Sequence, residues 1–350
     1  MELNSLRSWK LKWKLCASRR TILATVLFVL VAVGCRRADQ PIAIRGEAQG
    51  SYFSILYYDA EGRRFDAAID SLFIAFDNEV SLWVEGSLLR RVNDNRDSVV
   101  SPLFADILQK SIDMNRYTDG AFDCRIGRLV QMWGFSFRHR TLVDADSMAL
   151  LLAAARQPVT LRNDGDRWVL QKAPETELDF NAIAQGYMSD LIGEYLTAQG
   201  IENFLVDVGG EVLAHGSKPD GSAWRVGIER PAEERYSQQE VALAIALRDR
   251  SVVTSGSYRK FYERDGVRYS HTIDPTTGHP VTHSLLSVSV VDSTAWRADA
   301  LATAFMVMGV DSALRFIAQH EPTLPVLFIY DEQGTQRCQS TPSFDSLVIE

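Results

Sequence analysis

The sequence predicts an α+β fold of mixed, largely antiparallel sheet layers with helices, and three observations carry that reading. Strand-like alternation and helix-like spacing of apolar residues both recur along the chain. Helices do not separate the strands at regular intervals, which disfavours a doubly wound parallel sheet. No internal repeat, low-complexity tract or long Pro/Gly/Ser linker divides the 350 residues, so they suit one large domain or two closely packed ones.

Residues 1–20 include Lys10, Lys12, Lys14, Arg19 and Arg20, and an uncharged, mostly apolar run over 21–34 leads to Cys35. A charged start followed by a short apolar core is the pattern of a secretory signal. The run is shorter than the roughly 18 apolar residues of a spanning helix. Ala32, Val33 and Gly34 before the cysteine make the segment resemble a bacterial lipoprotein signal. The expected organisation is a signal peptide over 1–34, a lipidated N-terminus with a short tether over 35–45, and a folded body over 46–350. Such a body is lipid-anchored through Cys35 on the periplasmic side of a bacterial membrane, inner or outer. A plain transmembrane anchor is the competing reading, because Ala32 stands where such signals usually carry Leu.

Cleavage would remove six Lys/Arg and one Glu, taking the formal charge from −8 to −13. That balance excludes a general attraction to nucleic acid or anionic lipid. Cys16 would leave with the signal, and Cys124 and Cys338 would remain beside the lipidated Cys35; whether they pair stays open. No Cys/His cluster has zinc spacing.

Along the body, residues 42–58 alternate like one long strand interrupted at Gly46 and Gly50, and 65–79 has helical periodicity. A second helix covers 103–117 and stops at Thr118-Asp119-Gly120. A third runs over 184–199, ends at Gly200 and leads into a buried strand at 203–208 closed by Gly209-Gly210. Strands at 212–215 and 224–229 read as a hairpin around Lys218-Pro219-Asp220-Gly221. Further strands follow at 241–247, 269–273 and 286–291. The stretch 296–305 has the spacing of a helix buried along one side, and 325–330 is a last apolar strand.

Asp299 and Thr303 lie four residues apart in that last helix, so a carboxylate and a hydroxyl share one face. Two hard oxygen ligands with room for water and phosphate suit Mg2+; a local helix-start hydrogen bond is the plainer reading. Leu178-Asp179-Phe180-Asn181-Ala182-Ile183-Ala184-Gln185-Gly186-Tyr187 places an acid and a short polar residue ahead of a helix, as an N-cap or as a ligand-facing entry with a carbonyl turned to a cation. Tyr269-Ser270-His271-Thr272-Ile273-Asp274-Pro275-Thr276-Thr277-Gly278 sets a histidine in a strand before a tight turn. Thr254-Ser255-Gly256-Ser257-Tyr258 offers hydroxyls beside flexible backbone, as substrate loops and ordinary turns both do. None of these segments is a Walker P-loop or a Rossmann Gly-x-Gly-x-x-Gly.

Taken in order, the segments resemble the ApbE family of bacterial FAD:protein FMN transferases. The resemblance runs from Gly46 to Gly309. It rests on Gly46-x-x-x-Gly50-Ser51, Asp119-Gly120-Ala121-Phe122-Asp123, Trp133-Gly134-Phe135, the Asp179 to Tyr187 block and Val206-Asp207-Val208-Gly209-Gly210-Glu211. It continues through Trp224-Arg225-Val226-Gly227-Ile228-Glu229, Thr254-Ser255-Gly256, the Tyr269 to Pro280 segment and Asp299-Ala300-Leu301-Ala302-Thr303.

The resemblance implies a T-fold-like flavin transferase body. It implies that Asp299 and Thr303 ligate Mg2+ with the Ala182 carbonyl, and that Gln49, Trp83, Ala121, Phe122, Asp123, Asp179, Gln185 and His271 line an FAD pocket. The family usually has Met at the position of Gln49 and Tyr at that of Trp83; a Trp also stacks on a flat ring. Asn181 and Gln185 likewise replace the commoner Ser or Gly and Lys or Glu. The implied reaction moves FMN from FAD to a Thr or Ser hydroxyl of a protein and releases AMP, with His271 as base and Asp299 orienting it or the metal. The implied acceptors are redox subunits of the sodium-pumping NADH:quinone reductase or Rnf type. Two alternatives stay open at this point: hydrolysis of FAD to FMN and AMP, and a non-enzymatic FAD-binding lipoprotein.

Overall fold

A computed structural model describes the chain over residues 40–136, 145–231, 240–257, 261–264 and 267–349. The expected signal, Cys35 and the first part of the tether lie outside the described residues, as does Tyr258. Among the described residues no helix is long and apolar enough to cross a membrane.

The expected largely antiparallel α+β architecture is what the chain adopts. Eight strands form one sheet in which every neighbouring pair is antiparallel: β1 (Ile42–Ala48), β2 (Ser51–Tyr57), β3 (Phe204–Val208), β4 (Glu211–His215), β5 (Arg250–Gly256), β6 (Leu285–Asp292), β7 (Val326–Glu332) and β8 (Thr335–Ser340). Sheet order follows chain order, so the sheet is a meander with long excursions. The excursions supply the helices α1 (Asp66–Val80), α2 (Pro102–Tyr117), α3 (Ala184–Ala198) and α4 (Ala295–Met308), with α5 (Val310–His320) directly after α4.

The strand pleat decides which layer each residue enters. Val253, Val290 and Phe328 face the helices in the larger core, while Val252, Val291, Leu327 and Ile329 face a second core on the other side. That second core is closed by a small sheet of Trp224–Glu229, Val241–Leu247 and Val348–Ile349. β6 is buried on both faces, Ser287 and Ser289 included.

Several expectations change. Residues 42–58 are two strands, because Gln49 and Gly50 take φ of 54° and 72° and close a two-residue hairpin, the geometry that matches strand twist. Gly46 lies inside β1, where a Cβ would come within 2.7 Å of the Phe53 ring. The strands at 212–215 and 224–229 do not form a hairpin: β4 is paired on both edges, by β3 and β5, so Trp224–Glu229 pairs with Val241–Leu247 instead. Thr254-Ser255-Gly256 is not a loop but the end of β5, with Thr254 opposite Ser289 and their hydroxyls 2.7 Å apart. The strand expected at 269–273 ends at Ser270. The strand at 325–330 is followed by a hairpin partner, β8. Cys124 is buried, Cys338 is exposed, and both are free, so they do not pair.

Candidate active site

The site is built where α3 crosses α4. Gly186 is the contact point: a Cβ there would lie 2.4 Å from the Ala295 carbonyl oxygen and 2.8 Å from Asp299 Cβ. Only a residue without a side chain lets the two backbones approach so closely. Across this contact the Gly186 N–H donates to Asp299 Oδ2 at 3.1 Å. That N–H belongs to the third residue of α3, whose N-cap is Ile183, and is one of the first-turn donors that a helix cannot satisfy itself; Asp299 accepts it. The Ala182 carbonyl, just ahead of the N-cap, accepts no backbone hydrogen bond among the described residues. One glycine thus seats the Asp299 carboxylate against the entry of α3, four residues after Ala182.

α4 is buried nearly all round rather than along one side, with Asp299 among its buried residues. Burial raises the Asp299 carboxyl to about 7; the charge of Asp190 adds to the shift and the Gly186 N–H opposes it. One turn on, Thr303 Oγ1 lies 3.4 Å from Ser255 Oγ on β5. The strand position of Ser255 therefore puts a second hydroxyl beside Thr303. A buried carboxylate, a carbonyl without a backbone donor at the helix entry and a hydroxyl are hard oxygen donors, the set that fits Mg2+.

The segment before α3 is fixed from two sides. The Asn93 side chain bonds both main-chain groups of Leu178 at 2.8 Å, and the Asp179 N–H donates to the Cys124 carbonyl at 2.7 Å. Asp179 Oδ1 accepts the Asn181 N–H at 2.8 Å in a turn ahead of the helix; the expected side-chain N-cap is not made, because Ile183 holds that position. The Cys124 contact brings Asp179 next to the 121–123 turn. There Asp123 forms a two-pronged pair with Arg125, both bonds 2.8 Å. Phe122 is packed in the larger core, and its N–H and carbonyl are used by Thr118 and Asn115. Ala121 and Asp123 are the half-buried members of that turn.

Gln185 lies over Gly209, whose Cβ position is 2.4 Å from Gln185 Nε2. The Gly209 N–H donates to the Tyr52 carbonyl at 2.9 Å, tying that turn to the β1–β2 hairpin. At the hairpin tip Gln49 Nε2 donates to Asp77 Oδ1 at 3.1 Å, while Gln49 Oε1 is buried with no hydrogen-bond partner. A buried acceptor left so is costly unless a donor arrives. Trp83 is 62% exposed in the loop after α1. His271 is half-buried and meets the Phe135 ring edge-on, with centroids 6.3 Å apart. Its neighbouring turn is held by Trp133 Nε1, which donates to the Gly278 carbonyl at 2.7 Å.

The structure thus brings Asp299, with Thr303 one turn on, to the crossing with α3, whose entry follows Ala182, and joins Asp179 to the 121–123 turn and Gln185 to the hairpin of Gln49. Trp83 and His271 belong to separate loops. Sequence reasoning missed the structural parts played by Gly186 and Ser255. The signal for Gly186 was a glycine inside a helix, which is destabilising unless something needs the space.

The ApbE family model matches residues 49–328. The FAD:protein FMN transferase of Vibrio cholerae is 34% identical over 321 residues, covering 89% of this chain and 93% of the relative. That of Escherichia coli K12 is 32% identical over 350 residues, with 95% and 97% covered. Among solved structures, the apo flavinyl transferase ApbE of Pseudomonas stutzeri superposes with a TM-score of 0.77 at 32% identity, covering 88% of this chain and 97% of the other. The ApbE protein of Thermotoga maritima gives 0.77 at 25% identity, with 89% and 100% covered. The match spans the hairpin of Gln49, the helix crossing and the strands that support both, and the chain belongs to the ApbE family.

Proposed function

We propose that this chain is a FAD:protein FMN transferase that uses Mg2+. The observation that carries the reading is the Gly186 N–H bonded to Asp299, which sets the Asp299 carboxylate against the entry of α3, where the Ala182 carbonyl has no backbone donor. Asp299, Thr303 and the Ala182 carbonyl would hold Mg2+, which when bound offsets charge on the FAD pyrophosphate and the departing phosphate.

The chain's own residues supply position and proton transfer. Asp179 accepts hydrogen bonds from the flavin or ribose, and Gln49 Oε1, buried and unbonded, gains a donor from the ligand. Trp83 offers an exposed ring for stacking. His271 takes the proton of the attacking Thr or Ser hydroxyl. The hydroxyl oxygen then bonds to the FMN-side phosphorus, the bond from that phosphorus to the AMP oxygen breaks, and AMP leaves. Positioning of the hydroxyl and the pyrophosphate supplies much of the remaining acceleration.

The proposed acceptors are redox subunits of the sodium-pumping NADH:quinone reductase or Rnf type, met on the periplasmic side of a membrane that Cys35 anchors through lipid. The test is incubation of the protein with FAD, Mg2+ and such a subunit, followed by mass spectrometry of the subunit and analysis of free nucleotide. An FMN-sized adduct with AMP release is expected. Free FMN and AMP without adduct for every acceptor tried would make the protein a FAD hydrolase, and bound but intact FAD would make it a carrier.

A further inference from the structure

The helix that carries Asp299 and Thr303 starts without a cap of its own. Thr294 stands in the N-cap position with φ −127° and ψ 145°, where a hydroxyl ordinarily accepts from the first N–H groups. Its side chain makes no such bond, and its Oγ1 is buried with no partner. The cap comes from α3: Asp190 Oδ1 accepts the Ala295 N–H at 2.9 Å and Asp190 Oδ2 accepts the Trp296 N–H at 2.8 Å. A carboxylate there also complements the positive end of the α4 dipole.

The arrangement is reciprocal. Asp190 of α3 takes backbone N–H groups of α4, and Asp299 of α4 takes the backbone N–H of Gly186 in α3. Gly186 and Asp190 are four residues apart on α3, and Ala295 and Asp299 are four apart on α4. The two contacts are therefore rungs one helical turn apart, and they run in opposite directions along the two helices. Other ties hold α4 to different elements: Arg297 pairs with Asp292 at the end of β6 and with Glu321 after α5, and His283 Nε2 bonds the Met306 carbonyl at 2.8 Å.

The lower rung seats Asp299 against the entry of α3, where the Ala182 carbonyl has no backbone donor, and it forms only when α4 is seated at one height along α3. We propose that Asp190 is a positioning residue: its double bond to the start of α4 sets the register of α4 on α3, and so the spacing between the Ala182 carbonyl and the Asp299–Thr303 face. The inference rests on the Mg2+ reading above. Asp190 makes no contact with substrate in this role, and its effect reaches the reaction through metal affinity.

Calorimetric titration with Mg2+ and thermal unfolding in EDTA, on the full protein and three variants, separate positioning from simple capping. Asp190→Asn loses one of the two bonds and should weaken Mg2+ binding on the order of tenfold while lowering the Tm. Asp190→Asn with Thr294→Asp gives α4 a local carboxylate cap, which should recover the Tm but not the Mg2+ affinity. Asp190→Glu keeps the charge and adds a methylene, so affinity should fall with helix content unchanged. It also tests the idea if Asp190→Asn does not fold. Wild-type affinity in Asp190→Asn or Asp190→Glu, or its return in the double variant, would leave Asp190 a helix cap only and overturn the proposal. A wild type that binds no Mg2+ would overturn the reading beneath it as well.

Discussion

Asp299 is held where its charge is costly. Its carboxyl is raised from 3.8 to about 7 and that of Asp190 from 3.8 to about 6, burial being the first cause in both. A raised carboxyl binds its proton more tightly in the folded chain than in the unfolded one. Stability contributed by these groups is therefore lost as pH rises from about 4 to about 7, and the loss is constant above. In EDTA the unfolding midpoint should fall between pH 5.5 and pH 7.5. Added Mg2+ should raise the midpoint more at pH 8 than at pH 5.5, because protons compete for Asp299. A Mg2+ effect independent of pH would remove Asp299 from the metal site. Asp299→Ala should abolish Mg2+-dependent transfer, checked by adduct formation across a Mg2+ series.

His271 makes a sharper demand. A general base contributes about 100- to 10,000-fold, so His271→Ala should lower turnover by that order while FAD affinity, followed by flavin fluorescence, changes little. Equal losses in both would make it a binding residue. The chemical types at these positions were legible in the sequence because each carries its chemistry in its own side chain. The use of the Ala182 carbonyl was implied by family resemblance alone. A main-chain oxygen is identical at every position, and the contact that brings Asp299 to this helix entry joins residues 113 positions apart.

At the scale of elements, the crossing of α3 and α4 is the part most sensitive to a small change. Gly186→Ala would place a methyl 2.4 Å from the Ala295 carbonyl oxygen, and backbone cannot swing aside as a side chain can. The expected cost is about 1–3 kcal/mol, as for overpacked cores, with weaker Mg2+ binding from the separated helices. Denaturant unfolding and calorimetry of the variant check both parts; full stability would show that the helices yield freely. The helices read at 65–79, 103–117, 184–199 and 296–305 match to within a few residues, since apolar spacing reports local geometry directly, but α5 (Val310–His320) and the elements between Leu88 and Gln171 other than α2 were not read. The hairpin at Gln49-Gly50 was missed because alternation continues through the turn. The pairing of Trp224–Glu229 was misread because a turn signal says that the chain reverses, not which strand it meets.

At the scale of the whole molecule, a meander sheet stands between two layers, and the helix-bearing side carries the proposed metal ligands. β5 and β6 support α4 from below, with Ser255 reaching Thr303, so the sheet positions chemistry as well as filling the core. The proposed lipid anchor is Cys35, which lies outside the described residues. Cys35→Ser should move the protein from the membrane to the soluble fraction on fractionation; continued membrane association would favour a spanning segment over a lipid anchor.

The sequence by itself determined the layer type, the order of the main helices and strands, the family and the candidate side chains proposed to meet a cation and a flavin, because periodicity and side-chain chemistry are local properties. Only the tertiary structure decided that Gly186 joins α3 to α4, that Asp190 caps a helix it does not belong to, and that Ser255 lies in a strand beside Thr303. Each is a contact between residues at least 48 positions apart, and such contacts depend on how helices and strands stack, which local spacing does not encode.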